Sequence, residues 1–311
     1  MHVINTLAPV FAVIALGAIL RRTGFFSADF VTGLNRLTYW FAIPCLLFYK
    51  IAATTYNFQI AGRIFIVVIT GMAIALITAY VLAFFMKLKS HSVGAFAQGA
   101  YRGNLVYIGL PVIIYSFANS AESNSAGMET IAILVLSLIV PIYNIAAVVI
   151  LLAGQHKINR RLPARVIRQI ITNPLLLACV AGLLYSLIFP KLPITLERTF
   201  STVGQIALPM ALLCIGATLI ESKIKDSCLA AFTSSIIKIA LCPLAGFFVA
   251  NLMGLGTGET RIALIMLACP TAITSYVMAD QMGGDGDLAA AIVVVSSILS
   301  IISFSVVVAF F

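Results

Sequence analysis

The sequence predicts an all-α polytopic membrane protein of ten transmembrane helices, arranged as two inverted five-helix repeats with breaks in the fourth and ninth helices. Three observations carry that prediction. Of 311 residues, 62% are hydrophobic and only 9% are charged, with a mean hydropathy of +1.11, whereas soluble domains carry about 25% charge. The apolar residues fall into runs of about 20, the length that crosses a bilayer. Two of those runs hold helix breakers at positions that correspond when the chain is halved.

The spans are expected near 5–20, 31–53, 62–86, 93–117, 129–153, 173–189, 201–220, 228–252, 261–280 and 287–310. Arg21 and Arg22 follow the first run instead of preceding it, so it reads as a span and not as a signal peptide. Residues 1–153 form the first repeat, 154–172 a basic cytoplasmic linker, and 173–311 the second repeat. With the N-terminus outside, twelve of the 19 lysines and arginines fall on the inner side, including the 157–168 cluster. Five (Lys50, Arg63, Lys191, Arg198, Arg261) fall outside, and Arg102 and Lys238 remain within spans. That bias places both termini outside the inner membrane. It also explains the net charge of +9 as topology signal, with no nucleic-acid partner. The six cysteines lie in or beside apolar runs and form no CxxC pair, so neither disulfides nor a metal site are expected.

The fourth span is the unusual one. Gln98-Gly99-Ala100-Tyr101-Arg102-Gly103-Asn104-Leu105-Val106-Tyr107-Ile108-Gly109-Leu110-Pro111 puts an arginine, an asparagine, a glutamine and several breakers at membrane depth. A central arginine costs roughly 3 kcal/mol on insertion scales, so these residues face protein or a watery cavity, not lipid. Gly103-Asn104 weakens the helix there, and an interrupted helix survives only where its backbone is buried or lines a cavity.

Its counterpart lies in the second half. Pro9, Gly17 and Pro44 recur as Pro174, Gly182 and Pro209, each 165 positions on (174 less 9, 182 less 17, 209 less 44). The same offset lays Asn104 on Cys269, beside Pro270. Five spans is an odd number, so the second repeat enters the membrane upside down.

Two facing breaks form a simple anion site. The half-helices starting after Asn104 and after Pro270 present free N–H groups, each end worth about half a positive charge. Asn104 can donate as well, and Arg102 can add a bidentate grip or snorkel to an aqueous surface. Thr271, Thr274, Ser275 and Tyr276 supply hydroxyls at the second break, unless Pro270 merely kinks a packed helix. Lys238, deep in the eighth span, is a counter-ion or coupling residue, or a structural partner of carbonyls freed by Pro243 or of Asp280. Asp280 is the one carboxylate near membrane depth: a proton or sodium coupling group, or a helix end in water. Asn144, Gln205, Ser296, Ser297, Ser300 and Ser303 read as interhelical hydrogen-bonding groups. Gly284-Asp285-Gly286-Asp287 matches the G-x-G-D pattern of intramembrane aspartyl proteases, but no span supplies the second aspartate, so a polar turn is expected. A Walker A loop, HExxH and GxSxG are absent, which removes ATP as the energy source and the common hydrolase chemistries.

Asn104-Leu105-Val106-Tyr107-Ile108-Gly109-Leu110-Pro111 resembles the fourth-helix motif of the auxin efflux carrier family, which includes plant PIN proteins and bacterial permeases. Leu208-Pro209-Met210-Ala211-Leu212-Leu213-Cys214-Ile215-Gly216-Ala217-Thr218-Leu219 is similar to its seventh-helix pattern. Cys269-Pro270 and Lys238 with Pro243 also match, and the resemblance covers essentially the whole chain. It implies a fold like that of bile acid/sodium symporters, in which helices four and nine cross where each is broken. Helices 1, 2, 6 and 7 would form a scaffold and a homodimer interface, and helices 3–5 and 8–10 a moving transport domain. It implies a secondary transporter of small organic anions such as malate, malonate or lactate, and no enzyme. It carries the substrate site over to Asn104, Gly109, Pro111 and Pro270, and with Arg102, Gly103, Tyr107, Thr271 and Ser275 read from the residues of the two breaks these form the expected site. No cofactor is expected beyond a coupled proton or sodium ion. Ser275 departs from the proline common in plant members, and their long hydrophilic loop is missing, which favours the short bacterial type. A sodium-coupled bile acid-type symporter is the alternative within the class, and a channel or receptor the alternative outside it.

Overall fold

Helix formation follows the apolar runs throughout the computed structural model, which describes residues 2–53, 58–118, 125–153, 172, 174–189, 191–221 and 228–311. The basic linker expected at 154–172 therefore lies outside the described residues apart from Thr172, as do Lys223 and Lys225. The helices are α1 (His2–Arg22), α2 (Ala28–Leu37), α3 (Ile43–Ala52), α4 (Phe58–Phe85), α5 (Ser90–Tyr101), α6 (Leu110–Ala118) and α7 (Ser125–Ala153). They continue with α8 (Pro174–Ile188), α9 (Ile194–Gln205), α10 (Ala207–Glu221), α11 (Cys228–Ile236), α12 (Cys242–Leu252), α13 (Thr257–Ala268), α14 (Thr274–Gln281) and α15 (Gly286–Phe310). No β-strand occurs among the described residues. Among the described residues, five stretches are long and apolar enough to cross a membrane by length and composition: Phe58–Phe85, Gly127–Leu151, Ile194–Thr218, Cys228–Leu252 and Gly286–Phe310.

Three π-helical turns have one local cause. They cover Thr38–Ala42, Leu105–Gly109 and Ile237–Leu241, and a proline follows two residues after each, at Pro44, Pro111 and Pro243. Proline lacks an N–H and its ring collides with the carbonyl four residues back. The ladder yields by widening one turn, so Ile43, Leu110 and Cys242 each donate to the carbonyl five residues back. The carbonyl of Ile239 that Pro243 leaves free accepts the Ser303 hydroxyl at 2.6 Å, which joins α15 to this turn.

Packing divides the helices into two sets. In one, α1 lies along α10, α2 packs on α10, and α3 lies along α8 and α9. In the other, α4 packs on α12 and α13, α5 on α4, α7, α11 and α15, and α14 on α15. The polarity of the molecule is inverted relative to a soluble protein. Phe84 and Leu252 are 79% and 87% exposed, while Gln98, Arg102, Asn104, Lys238, Thr271 and Ser275 are buried. Large apolar side chains face outward over long helices, as a lipid solvent requires, and the polar groups collect around one crossing in the interior.

Candidate functional site

The α5 helix ends at Tyr101, and Arg102 takes an extended backbone (φ −83°, ψ 103°) before the chain resumes helical form at Leu105. The second break has a different cause, a proline: α13 ends at Ala268, Cys269 is extended (φ −54°, ψ 136°), and Pro270 cannot donate. The two interruptions cross and pair. Gly103 and Thr271 form an antiparallel bridge. The Asn104 N–H donates to the Pro270 carbonyl at 2.8 Å, and the Ala272 N–H donates to the Arg102 carbonyl at 3.1 Å. Each break thus satisfies backbone groups that the other frees, which is how irregular chain is tolerated at membrane depth. The approach is close: a Cβ on Gly109 would sit 2.7 Å from the Cys269 sulfur.

A cavity of about 330 Å³ opens beside this crossing. The first break contributes Arg102 to Tyr107, and the second contributes Ala272, Ile273, Thr274 and Val277. Facing them are Asn35, Arg36, Tyr39 and Trp40 from α2 and its π turn, and Cys214, Ile215 and Thr218 from α10. Val140, Tyr143 and Asn144 of α7, with Leu175 of α8, complete the lining. Sequence reasoning expected every N–H at both half-helix starts to be free, but the mutual bridge consumes those of Asn104 and Ala272, and Ser296 Oγ takes that of Thr271 at 3.0 Å. The N–H groups of Leu105, Val106, Tyr107, Ile273 and Thr274 carry no hydrogen-bond partner among the described residues, and all five residues line the cavity.

Arg102 is the dominant charge. It is 5% exposed, and its Nη2 donates to Asn144 Oδ1 at 2.6 Å while Nη1 lies 2.9 Å from the Met278 sulfur. Tyr39 and Tyr143 line the cavity with it. No carboxylate lies within ion-pairing distance of it among the described residues. It points inward and does not snorkel. Tyr107 donates to Asn35 Oδ1 at 2.6 Å, tying the broken helix to α2.

The structure brings Arg102, Gly103, Asn104 and Tyr107 to the cavity and leaves other expected residues behind it. Gly109 and Pro111 are buried in the crossing, Pro270 offers its carbonyl to Asn104, and the Ser275 hydroxyl is buried without a partner among the described residues. Thr271 spends its hydroxyl on the Gly99 carbonyl at 2.7 Å, so it ties α5 to the second break instead of facing the cavity. Lys238 is fully buried and donates to the Leu267 carbonyl in the last turn of α13. That carbonyl is freed by the break at Pro270, so the partner is neither a Pro243-freed carbonyl nor Asp280. Asp280 is exposed at the end of α14 and stands away from the cavity. Asp285 of the G-x-G-D sequence caps α15 through the Leu288 N–H at 3.0 Å and accepts from Ser92 at 2.6 Å, as a polar turn does. Ser296 and Ser303 do bond to other elements, whereas among the described residues Gln205, Ser297 and Ser300 bond within their own helices, to Ser201, Val293 and Ser297.

Sequence reasoning missed Asn35, Tyr39 and Asn144 as cavity residues. For Asn144 the signal was its amide in an apolar span, but nothing local names Arg102 as its partner. It also missed a link far from the cavity, where Lys50 of α3 pairs with Glu129 of α7 at 2.6 Å.

The comparisons bear on the chain as a whole. A family model described as "Membrane transport protein" matches residues 2–308. Among curated proteins, a "Putative malonate transporter" of Rhizobium meliloti (strain 1021) is 24% identical over 301 residues, 94% of this chain and 91% of the relative. Both point to a multi-pass membrane transporter and away from an enzyme.

Proposed function

From the premise that the chain belongs to the membrane transport protein family, we propose that it is a secondary transporter of small organic anions, mono- or dicarboxylates, working by alternating access. One observation carries this reading: a buried arginine with no carboxylate partner among the described residues shares a cavity with two half-helix N-termini. Positive ends of half-helices aimed at mid-membrane suit a carboxylate. A volume of about 330 Å³ suits a small acid. The malonate in the relative's name belongs to the same chemical class.

The ten-span inverted repeat is part of the proposal. A Cβ on Gly17 of α1 would lie 2.3 Å from the Leu213 carbonyl oxygen of α10, and one on Gly182 of α8 would lie 3.0 Å from that of Phe48 in α3. Both members of the second contact lie 165 positions from those of the first (182 less 17, 213 less 48), with the order of the halves exchanged. That reciprocal exchange supports two copies of one unit. Helices of the first packing set (α1–α3, α8–α10) then serve as scaffold, through which a homodimer can form, and the others move. With both termini outside the inner membrane, as the lysine and arginine bias suggests, Asn35 and Arg36 lie at the cytoplasmic end and the cavity faces inward.

The test is uptake of labelled malonate and malate into proteoliposomes under a proton gradient, a sodium gradient or neither. The expected result is saturable uptake that one gradient accelerates, with a loss of at least about 30-fold in affinity for Arg102→Ala and a collapse for Asn104→Ala. Uptake of neither acid, or unchanged kinetics in both variants, would overturn the substrate class or the site.

A further inference from the structure

The Arg102 guanidinium is held by a neutral acceptor at a place where an isosteric acid would fit. Among the described residues lining the cavity, Arg36 and Arg102 are cationic and none is acidic. The side chain that does meet Arg102 is Asn144 Oδ1, at 2.6 Å from α7, one turn beyond Val140 on a face that lines the cavity. Its other contact is the uncharged Met278 sulfur. Were the arginine only structural, a carboxylate in place of Asn144 would satisfy it better, since a buried guanidinium without a counter-charge is costly. An amide fixes the direction of the guanidinium and leaves its charge in place.

We propose that Asn144 is a positioning residue that sets the charge selectivity of the site: it orients Arg102 through a neutral oxygen, so that the counter-charge arrives only with the anion. This rests on the anion reading above. The incoming carboxylate takes the guanidinium nitrogens that face the cavity, and the amide keeps the group aimed during the empty part of the cycle. Asn144→Asp would put a fixed anion where the substrate's charge belongs. The site would then favour ligands of lower charge. Asn144→Ala would loosen Arg102 without changing the charge of the cavity.

These two variants separate an electrostatic role from a packing role. Binding of labelled malonate, a dianion at neutral pH, and of lactate, a monoanion, is measured on purified wild type and both variants, with thermal unfolding recorded for each. Asn144→Asp is expected to weaken malonate by at least about tenfold and lactate by clearly less, because the penalty scales with ligand charge. Asn144→Ala is expected to weaken both by the same factor. If Asn144→Asp keeps wild-type affinity for malonate, or weakens both acids equally, Asn144 does not set charge selectivity and the inference falls alone. If wild-type protein binds neither acid, the anion reading falls and takes this inference with it.

Discussion

At the scale of single residues, two of the buried basic side chains do different jobs. Arg102 faces the cavity, whereas Lys238 caps the carbonyl end of α13 by donating to Leu267, at the negative pole of that half-helix. Removing the ammonium orphans a buried carbonyl, a cost of about 1–3 kcal/mol. Lys238→Met keeps most of the volume, so it should be milder than Lys238→Ala, which adds a void. The expected order of melting temperatures is wild type, then Met, then Ala, with Ala lower by several degrees. Ligand affinity per folded molecule should change less than for Arg102→Ala, and an equal loss would place Lys238 in the binding machinery. The polar load of residues 98–111 was legible in the sequence, because such groups have no place in lipid. The partners were not. Asn144 lies 42 positions from Arg102, and Thr271 is turned to Gly99 by a crossing no local pattern describes.

At the scale of elements, both breaks were legible from Gly103-Asn104 and Cys269-Pro270, since breakers act through their own backbone chemistry. The three π turns were written in the same letters, one proline two residues beyond each, yet Pro9 and Pro141 sit inside α1 and α7. Proline therefore marks where the ladder must adapt, and the neighbouring helices decide how. The fit between the two breaks is a matter of tenths of an ångström. A Cβ at Gly109 meets the Cys269 sulfur at 2.7 Å and one at Gly103 meets the Cys269 Cβ at 3.1 Å. Gly109→Ala should therefore wedge the crossing and cut uptake at least about tenfold, while the double variant Gly109→Ala/Cys269→Ala, which removes the opposing sulfur, should recover much of it. Additive losses in the double variant would mean that Gly109 acts through its backbone and not through this contact. Transport rates of the two single variants and the double variant decide the matter.

For the whole molecule, the charge bias proposes a side of the membrane and says nothing of the state of the protein. Lys50 entered the sequence reading only as an outer-side lysine, but it meets Glu129 across the two packing sets, α3 to α7. Asn35 and Arg36 at the cavity lie about 14 residues earlier along α2 and α3, roughly 21 Å at helical rise. The ion pair therefore stands at the opposite end from the cavity. Under alternating access, a contact that joins scaffold to moving helices on the closed side must break when that side opens. The pair is partly buried, with side-chain exposures of 29% and 10%, so its worth is about 1 kcal/mol after solvent screening. A difference of that size shifts a two-state population roughly fivefold. Glu129→Gln should raise the accessibility of a cysteine introduced on the far side of the crossing to an impermeant thiol reagent by about that factor. The exchange Lys50→Glu/Glu129→Lys should return it toward wild type, because the pair is restored with its poles reversed. If accessibility stays at the wild-type rate in Glu129→Gln, the pair is a static brace between helices that do not part.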